Sequence, residues 1–158
     1  MLARTLLFVT LLLTFAASPP ALAAGEVARR AMITAAVNGR ATQAALDSLA
    51  ELARDGDAGV ADTLGFVHAV GRGIAKDPPQ AFRWYMQAAS LGQPEAVVNS
   101  VLVWRKMRRA QQDEASRLLE ETLTPEAIAG LKEQWAEAVE TIQSREDAAK
   151  LAKGGKGK

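Results

Sequence analysis

The sequence predicts an all-α protein assembled from short helical hairpins. Alanine is abundant, and the alternating Val/Ile/Thr runs that make half-buried strands are missing. Apolar residues instead recur at three- and four-residue spacing, the period of a helix with one buried face. The stretch Gly56–Gly92 then holds two such periodic segments around a glycine loop, with a helix-start signal opening the second, and Gly92 begins a partial second copy. Hairpins that recur in this way stack, because one alone cannot bury its apolar faces.

The N-terminus reads differently. Arg4 is the only charge before Glu26, the leucine-rich run Leu6–Ala16 follows it, and Ser18-Pro19-Pro20 leads into Ala21-Leu22-Ala23. A positive start, an apolar core and an A-x-A site describe a secretory signal peptide over residues 1–23, cut after Ala23. The other reading is an uncleaved membrane anchor. The apolar run falls short of the roughly 20 residues that span a bilayer, and Pro19-Pro20 would interrupt a helix there. No cysteine follows that could accept a lipid.

About 135 residues remain, enough for one domain with a real core. The expected domain spans residues 24–145, and a Lys/Gly-rich end at 146–158 is expected to be unstructured. Removing Arg4 from the 19 basic residues leaves them balanced with the 18 acidic ones, so no nucleic-acid surface is indicated. The four tail lysines either touch an anionic lipid or polymer or form a solvated end. Zero cysteines exclude disulfides, thiol catalysis and thiolate metal sites, so in an oxidising compartment the fold rests on its apolar core.

Seven helices are expected. The first covers about Glu26 to Val37, stopped by Asn38-Gly39, and the second about Thr42 to Arg54, stopped by Asp55-Gly56. In the second, Ala45, Leu46, Leu49, Leu52 and Ala53 share one face. The third runs from about Ala58 to Val70 and ends at Gly71-Arg72-Gly73. Asp77 caps the fourth, with Pro78 at its first position and Gln80 at capping-box spacing; it ends at Gly92. A fifth starts near Pro94 and continues through Trp104, and a sixth covers about Asp113 to Glu121. The last, opened by Thr124-Pro125-Glu126, buries Ile128, Leu131, Trp135, Ala138, Val139 and Ile142 and reaches about Thr141.

Within Gly56–Gly92 stand Leu64-Gly65, Gly71-Arg72-Gly73-Ile74, Asp77, Ala81, Trp84-Tyr85, Ala88-Ala89 and Gly92. This block resembles a Sel1-like repeat, a relative of the tetratricopeptide repeat with a longer loop inside its hairpin. The family pattern has Leu-Gly and then an aromatic in the first helix, a G-x-G-V-x-x-D loop, and A-x-x-W-Y-x-x-A-A before a closing glycine. His68 stands at the aromatic position here, Val60 at a usual alanine, and Pro78 at the aromatic after Asp77. One unit matches. Shifted by 36 residues, Ala96 and Trp104 match a worn second copy, whose loop glycines are replaced by Met107 and Arg109. Upstream, Ala45, Ala53 and Gly56 are remnants of another. The resemblance implies a short right-handed α-solenoid capped by eroded copies.

No catalytic, metal or cofactor motif appears. His68 is the only histidine, which excludes HExxH-type zinc sites, and neither a P-loop nor G-x-S-x-G is present. The cationic run Arg105, Lys106, Arg108 and Arg109 either binds an acidic partner segment or pairs locally with Asp113 and Glu114. Arrays of the resembled kind grip a peptide on the first helix of each hairpin. That places candidate partner-binding residues at Asp62, Phe66 and Val70 on the full unit, and at Val98, Leu102, Arg105 and Lys106 on the worn one. Phe66, Val98 and Leu102 would form an apolar strip with a basic end that takes a carboxylate. The competing reading is that the terminal helices cover this strip as core. The expectation is a periplasmic or secreted, non-enzymatic protein–protein interaction module: an adaptor, assembly factor or regulator. The alternatives are a secreted effector acting outside the cell, or the binding subunit of an envelope enzyme complex.

Overall fold

The computed structural model describes residues 20–154, with side chains described over residues 24–152. Among the described residues the fold is all-α, with no strand. Its helices are α1 (Pro20–Val37), α2 (Gln43–Arg54), α3 (Ala58–Val70), α4 (Pro78–Ser90), α5 (Pro94–Trp104), α6 (Arg109–Thr122) and α7 (Pro125–Gly154). No helix of the described residues is long and apolar enough to cross a membrane. The predicted signal peptide lies largely at residues 1–19, outside the described residues.

The boundaries follow local chemistry. Thr42, Asp57 and Asp77 each turn a side-chain oxygen onto a backbone N–H three residues on, from Ala45, Val60 and Gln80 at 3.2, 3.0 and 3.1 Å, so each satisfies a donor that the helix leaves free. Asp77 makes only half of the expected capping box. The Gln80 side chain does not reach back; its Oε1 accepts from the Arg83 guanidinium at 2.8 and 3.0 Å. Pro78 and Pro94 occupy first-turn positions, where no N–H is needed.

Three boundaries differ from the sequence expectation. α1 begins at Pro20 and runs through Ala23, because the alanines after the proline are strong helix formers. α6 begins at Arg109, four residues before Asp113, with Gln111 Oε1 accepting from the Arg108 N–H at 3.1 Å to close its first turn. α7 continues past Thr141 to Gly154, through most of the end expected to be unstructured. Ala148, Ala149 and Leu151 favour helix there, and Asp147 accepts from both Gln143 and Lys150 one turn to either side. Residues 155–158 lie outside the described residues.

α4 is the hub of the packing. It packs most extensively on α3 and also meets α5, α6 and α7. Ala81, Phe82, Trp84, Tyr85, Met86, Ala88 and Ala89 on this one helix are all buried. Apart from α4 with α7, every substantial helix pair joins elements one or two apart in the chain. The α3–α4 approach is set by Gly65: a Cβ added there would sit 2.5–2.8 Å from three carbons of the Tyr85 ring. A second close approach joins the loops. Gly73, at φ +72°, lies against Gly39, at φ +69°, and a Cβ on Gly73 would meet the Gly39 carbonyl oxygen at 2.7 Å. Both residues need the left-handed conformation as well as the space. Gln87 adds a tie across the hub, its buried Nε2 donating to the Ala53 carbonyl of α2 at 2.8 Å.

Asp57 does more than the turn role its sequence position suggests. Beyond capping α3, its carboxylate receives Arg29 of α1 through Nε at 2.5 Å and Nη2 at 2.9 Å. The Arg29 guanidinium holds the Asp57 carboxyl below its ordinary range, against the opposing effect of burial. One carboxylate therefore stops the α2–α3 turn and staples α1 across it.

Two outcomes test this frame. Gly65→Ala loses a net of up to ~2 kcal/mol in urea unfolding, because overpacking at about 1–3 kcal/mol is offset by a gain of only ~1 kcal/mol in helix propensity. Asp57→Ala costs about 2 kcal/mol while Thr42→Ala costs about 1 kcal/mol or less, because Thr42 is only a cap and Asp57 is also the acceptor of a bidentate arginine. Equal losses at the two caps would show that the staple contributes nothing.

Candidate partner-binding surface

The candidate strip residues lie on α3 and α5, beside their junction with α7, and differ in burial. On α3, Asp62 and Phe66 are half-buried and Val70 is 51 % exposed. On α5, Val98 is half-buried and Leu102 is 39 % exposed. α7 packs along α5. Val98 lines a groove of ≈ 230 Å³ against Gln134, Ala138 and Thr141 of α7. Arg105 is drawn to the same helix, with both Nη atoms donating to the Glu146 carboxylate at 2.9 and 3.0 Å. α7 thus borders the α5 half of the strip and leaves Leu102, Lys106 and Val70 exposed.

Asp62 is the chemically unusual member. Its Oδ1 is shielded from solvent and has no hydrogen-bond partner among the described residues. Burial pushes its carboxyl up, a hydrogen bond from the Asn99 side chain to the carboxylate pulls the other way, and the Glu95 carboxylate adds to the rise. An acceptor left without a donor in this way costs about 1–3 kcal/mol. The other cations of the 105–109 run are placed apart: Arg109 pairs with Asp113 at 3.0 Å, while Glu114 pairs with Arg117 instead. Met107 is buried in the short α5–α6 turn.

His68 does not join the strip. It lines a pocket of ≈ 350 Å³ with Asp47 and Leu46 of α2, Leu64, Lys76, Asp77 and Trp84. Its Nδ1 is shielded and unpartnered among the described residues. Burial lowers its pKa below the ordinary 6.5, Asp77 opposes this, and Arg83 adds to it. Arg83 is itself pulled down to about 10 by burial and by the proximity of Arg54. Its guanidinium lies 3.7 Å over the Trp84 ring, a cation–π contact that keeps a partly desolvated cation acceptable. Tyr85, against Gly65, is pushed up to about 12 by burial and by the Asp62 charge. No group of three or more His, Cys, Asp or Glu side chains among the described residues could hold a metal ion.

One concavity was not foreseen. α6 and α7 pack on the α4–α5 pair more than on each other, and they leave an apolar cleft of ≈ 300 Å³ between them. Phe82 and Trp104 meet there with ring centroids 4.9 Å apart, and Trp135 stands edge-on to Trp104 at 6.2 Å. The sequence marked Trp135 as core; only the divergence of the two helices turns it into a wall. Its Nε1 is a further shielded atom with no acceptor among the described residues.

The geometry defines an all-helical protein with apolar concavities and an exposed strip. Compared with protein-family models, with curated proteins and with solved structures, the chain matches none.

The His68 environment predicts a pH dependence. The folded state binds protons there less readily than the unfolded chain, so stability falls as pH drops below about 6.5 toward the lowered folded value. Between about pH 7.5 and pH 5.5 the wild type therefore loses more unfolding free energy than His68→Gln. Urea midpoints of the two proteins at both pH values measure this, and equal losses would refute it.

Proposed function

We propose that this chain is a short helical-repeat module, Sel1-like in kind, that binds a protein or peptide in the cell envelope and performs no chemistry itself. The motif residues of the Gly56–Gly92 block serve as scaffold. Gly65 admits Tyr85, Gly71 and Gly73 take positive φ, and Trp84, Tyr85, Ala88 and Ala89 are buried. Packing that joins mainly helices one or two apart in the chain fits a solenoid of stacked hairpins. The apolar leader with its A-x-A site is the basis for placing the protein in the periplasm or outside the cell.

The observation that carries the proposal is the exposure of two apolar side chains, Val70 on α3 and Leu102 on α5. Exposed Lys106 lies four residues beyond Leu102. A partner segment with apolar side chains would cover Val70 and Leu102, and a carboxylate on the same segment would meet Lys106.

The test is a crosslinking pull-down from periplasmic extract with the purified protein. Val70→Glu/Leu102→Glu changes two exposed side chains and leaves the core intact. It should retain its helical circular dichroism and lose at least about tenfold in affinity for one defined partner. Unchanged capture by this variant would overturn the binding face.

A further inference from the structure

We propose that the end of the fold where α1, α3 and α5 finish rests on an anionic lipid surface. Contacts across four elements assemble that end. The Gly39 and Gly73 backbones lie together, which joins the loops after α1 and α3. The Asp77 N–H donates to the His68 carbonyl at 3.0 Å, which sets the start of α4 beside the end of α3. Phe82 of α4 meets Trp104 at the end of α5, with ring centroids 4.9 Å apart. Arg105, just beyond α5, holds Glu146 of α7. From these loops come Arg40, Arg72, Lys76, Lys106 and Arg108, all exposed and none in an ion pair among the described residues. Asp47 and Asp77 oppose them, while Asp113, Glu146 and Asp147 are already paired with Arg109, Arg105 and Lys150. The C-termini of α1, α3 and α5 alternate there with the N-termini of α2, α4 and α6, so the helix dipoles offset one another.

Charge and shape choose the occupant. The cations belong to three separate loops instead of lining one concavity, which suits an extended, flat anion. The turns after α2, α4 and α6 close the opposite end, where exposed Asp55, Glu95, Glu120 and Glu126 outnumber Arg54 and Lys132. α7 runs between the two ends, about 30 Å from Pro125 to Glu146. That is well beyond the ~10 Å over which charges act through 0.1 M salt, so a surface met by the basic end does not feel the acidic one. Apolar contact is available at the same end. Val37 and Val70 close α1 and α3 and are exposed. Beyond Ile142 every described side chain of α7 is exposed, so its last turns project from the body. Ala148, Leu151 and Ala152 share one side of them and Lys150 lies on another, with Leu151 78 % exposed. Aliphatic side chains set among cations match the boundary between charged headgroups and acyl chains.

The full-length protein is floated with vesicles of phosphatidylcholine alone, or with about one third phosphatidylglycerol, at low salt and at about 0.5 M salt. The ratio of anionic to neutral binding is the readout, because it removes any contribution of the apolar leader. The protein should prefer the anionic vesicles by at least about tenfold at low salt and lose that preference at high salt. Arg40→Gln/Arg72→Gln/Arg108→Gln should lower the ratio by about tenfold or more, since each cation near such a surface is worth about fivefold. These side chains are exposed and unpaired, so the circular-dichroism spectrum should not change. They also lie outside the α3–α5 strip, so the partner pull-down of this variant stands apart from its vesicle binding. Glu95→Gln/Glu126→Gln, at the far end, should leave the ratio within about twofold. A gain there as large as the loss in the arginine variant would show a net-charge effect without orientation and overturn the proposal. Absence of any preference for anionic vesicles would overturn it as well. So would a preference that survives the arginine variant, and its loss with Lys153→Gln/Lys156→Gln/Lys158→Gln would then assign it to the tail alone.

Discussion

Everything in this fold leans on the closeness of α3 and α4. Gly65 carries no side chain toward its neighbour, so the Tyr85 ring rests on the α3 backbone itself. That contact lets one helix, α4, bury almost all of its circumference against α3, α5, α6 and α7. With no cysteine in the sequence, no covalent link supports the arrangement. Stability has to come from apolar area removed from water, at about 25 cal/mol per Å². The glycine contact at Gly39–Gly73 repeats the device one layer out, with backbone against backbone between two loops.

A core this dependent on close approach leaves little room to satisfy polar atoms, and the shortfalls are distributed unevenly. Four shielded side-chain atoms lack a partner among the described residues: Asp62 Oδ1, His68 Nδ1, Gln87 Oε1 and Trp135 Nε1. Gln87 is half-satisfied through its amide nitrogen and acts as a tie between α2 and α4. The other three stand at the edge of an open feature: the α3–α5 strip, the α2–α3 pocket and the α6–α7 cleft. Desolvated groups without partners cost stability wherever they stand. Asp57 is the contrasting case, a partly buried carboxylate whose cap and arginine partners occupy it fully.

The sequence made most of the frame legible because glycine, proline and aspartate act locally. Asp77-Pro78, Thr124-Pro125 and the Gly71-Arg72-Gly73 stop each locate a boundary through chemistry confined to a few residues. The start of α6 and the end of α7 were less legible, because Arg108–Gln111 and the Asp147 pairs are side-chain contacts that composition does not reveal. Arg29 and Asp57 lie 28 residues apart, and no periodicity announces that they meet. The candidate strip was legible as a set of helix positions. Its partition was not: the pairing of Arg105 with Glu146, 41 residues away, depends on where α7 lies in space. The cleft was illegible for a related reason. Trp104, Ile128, Leu131 and Trp135 have the spacing of core residues, and the sequence cannot say that α6 and α7 would diverge above them.

α7 is the element through which the two open features are linked. Near its start, Ile128, Leu131, Lys132 and Trp135 wall the cleft. Further on, Ala138 and Thr141 flank Val98, and Glu146 holds Arg105 at the end of the strip. A continuous helix rises about 1.5 Å per residue, so one element carries both sets of contacts at well-separated heights. The Arg105–Glu146 pair is partly exposed and contributes little by itself, so the position of α7 along α5 is set mainly by apolar contacts such as Ala138 and Ile142.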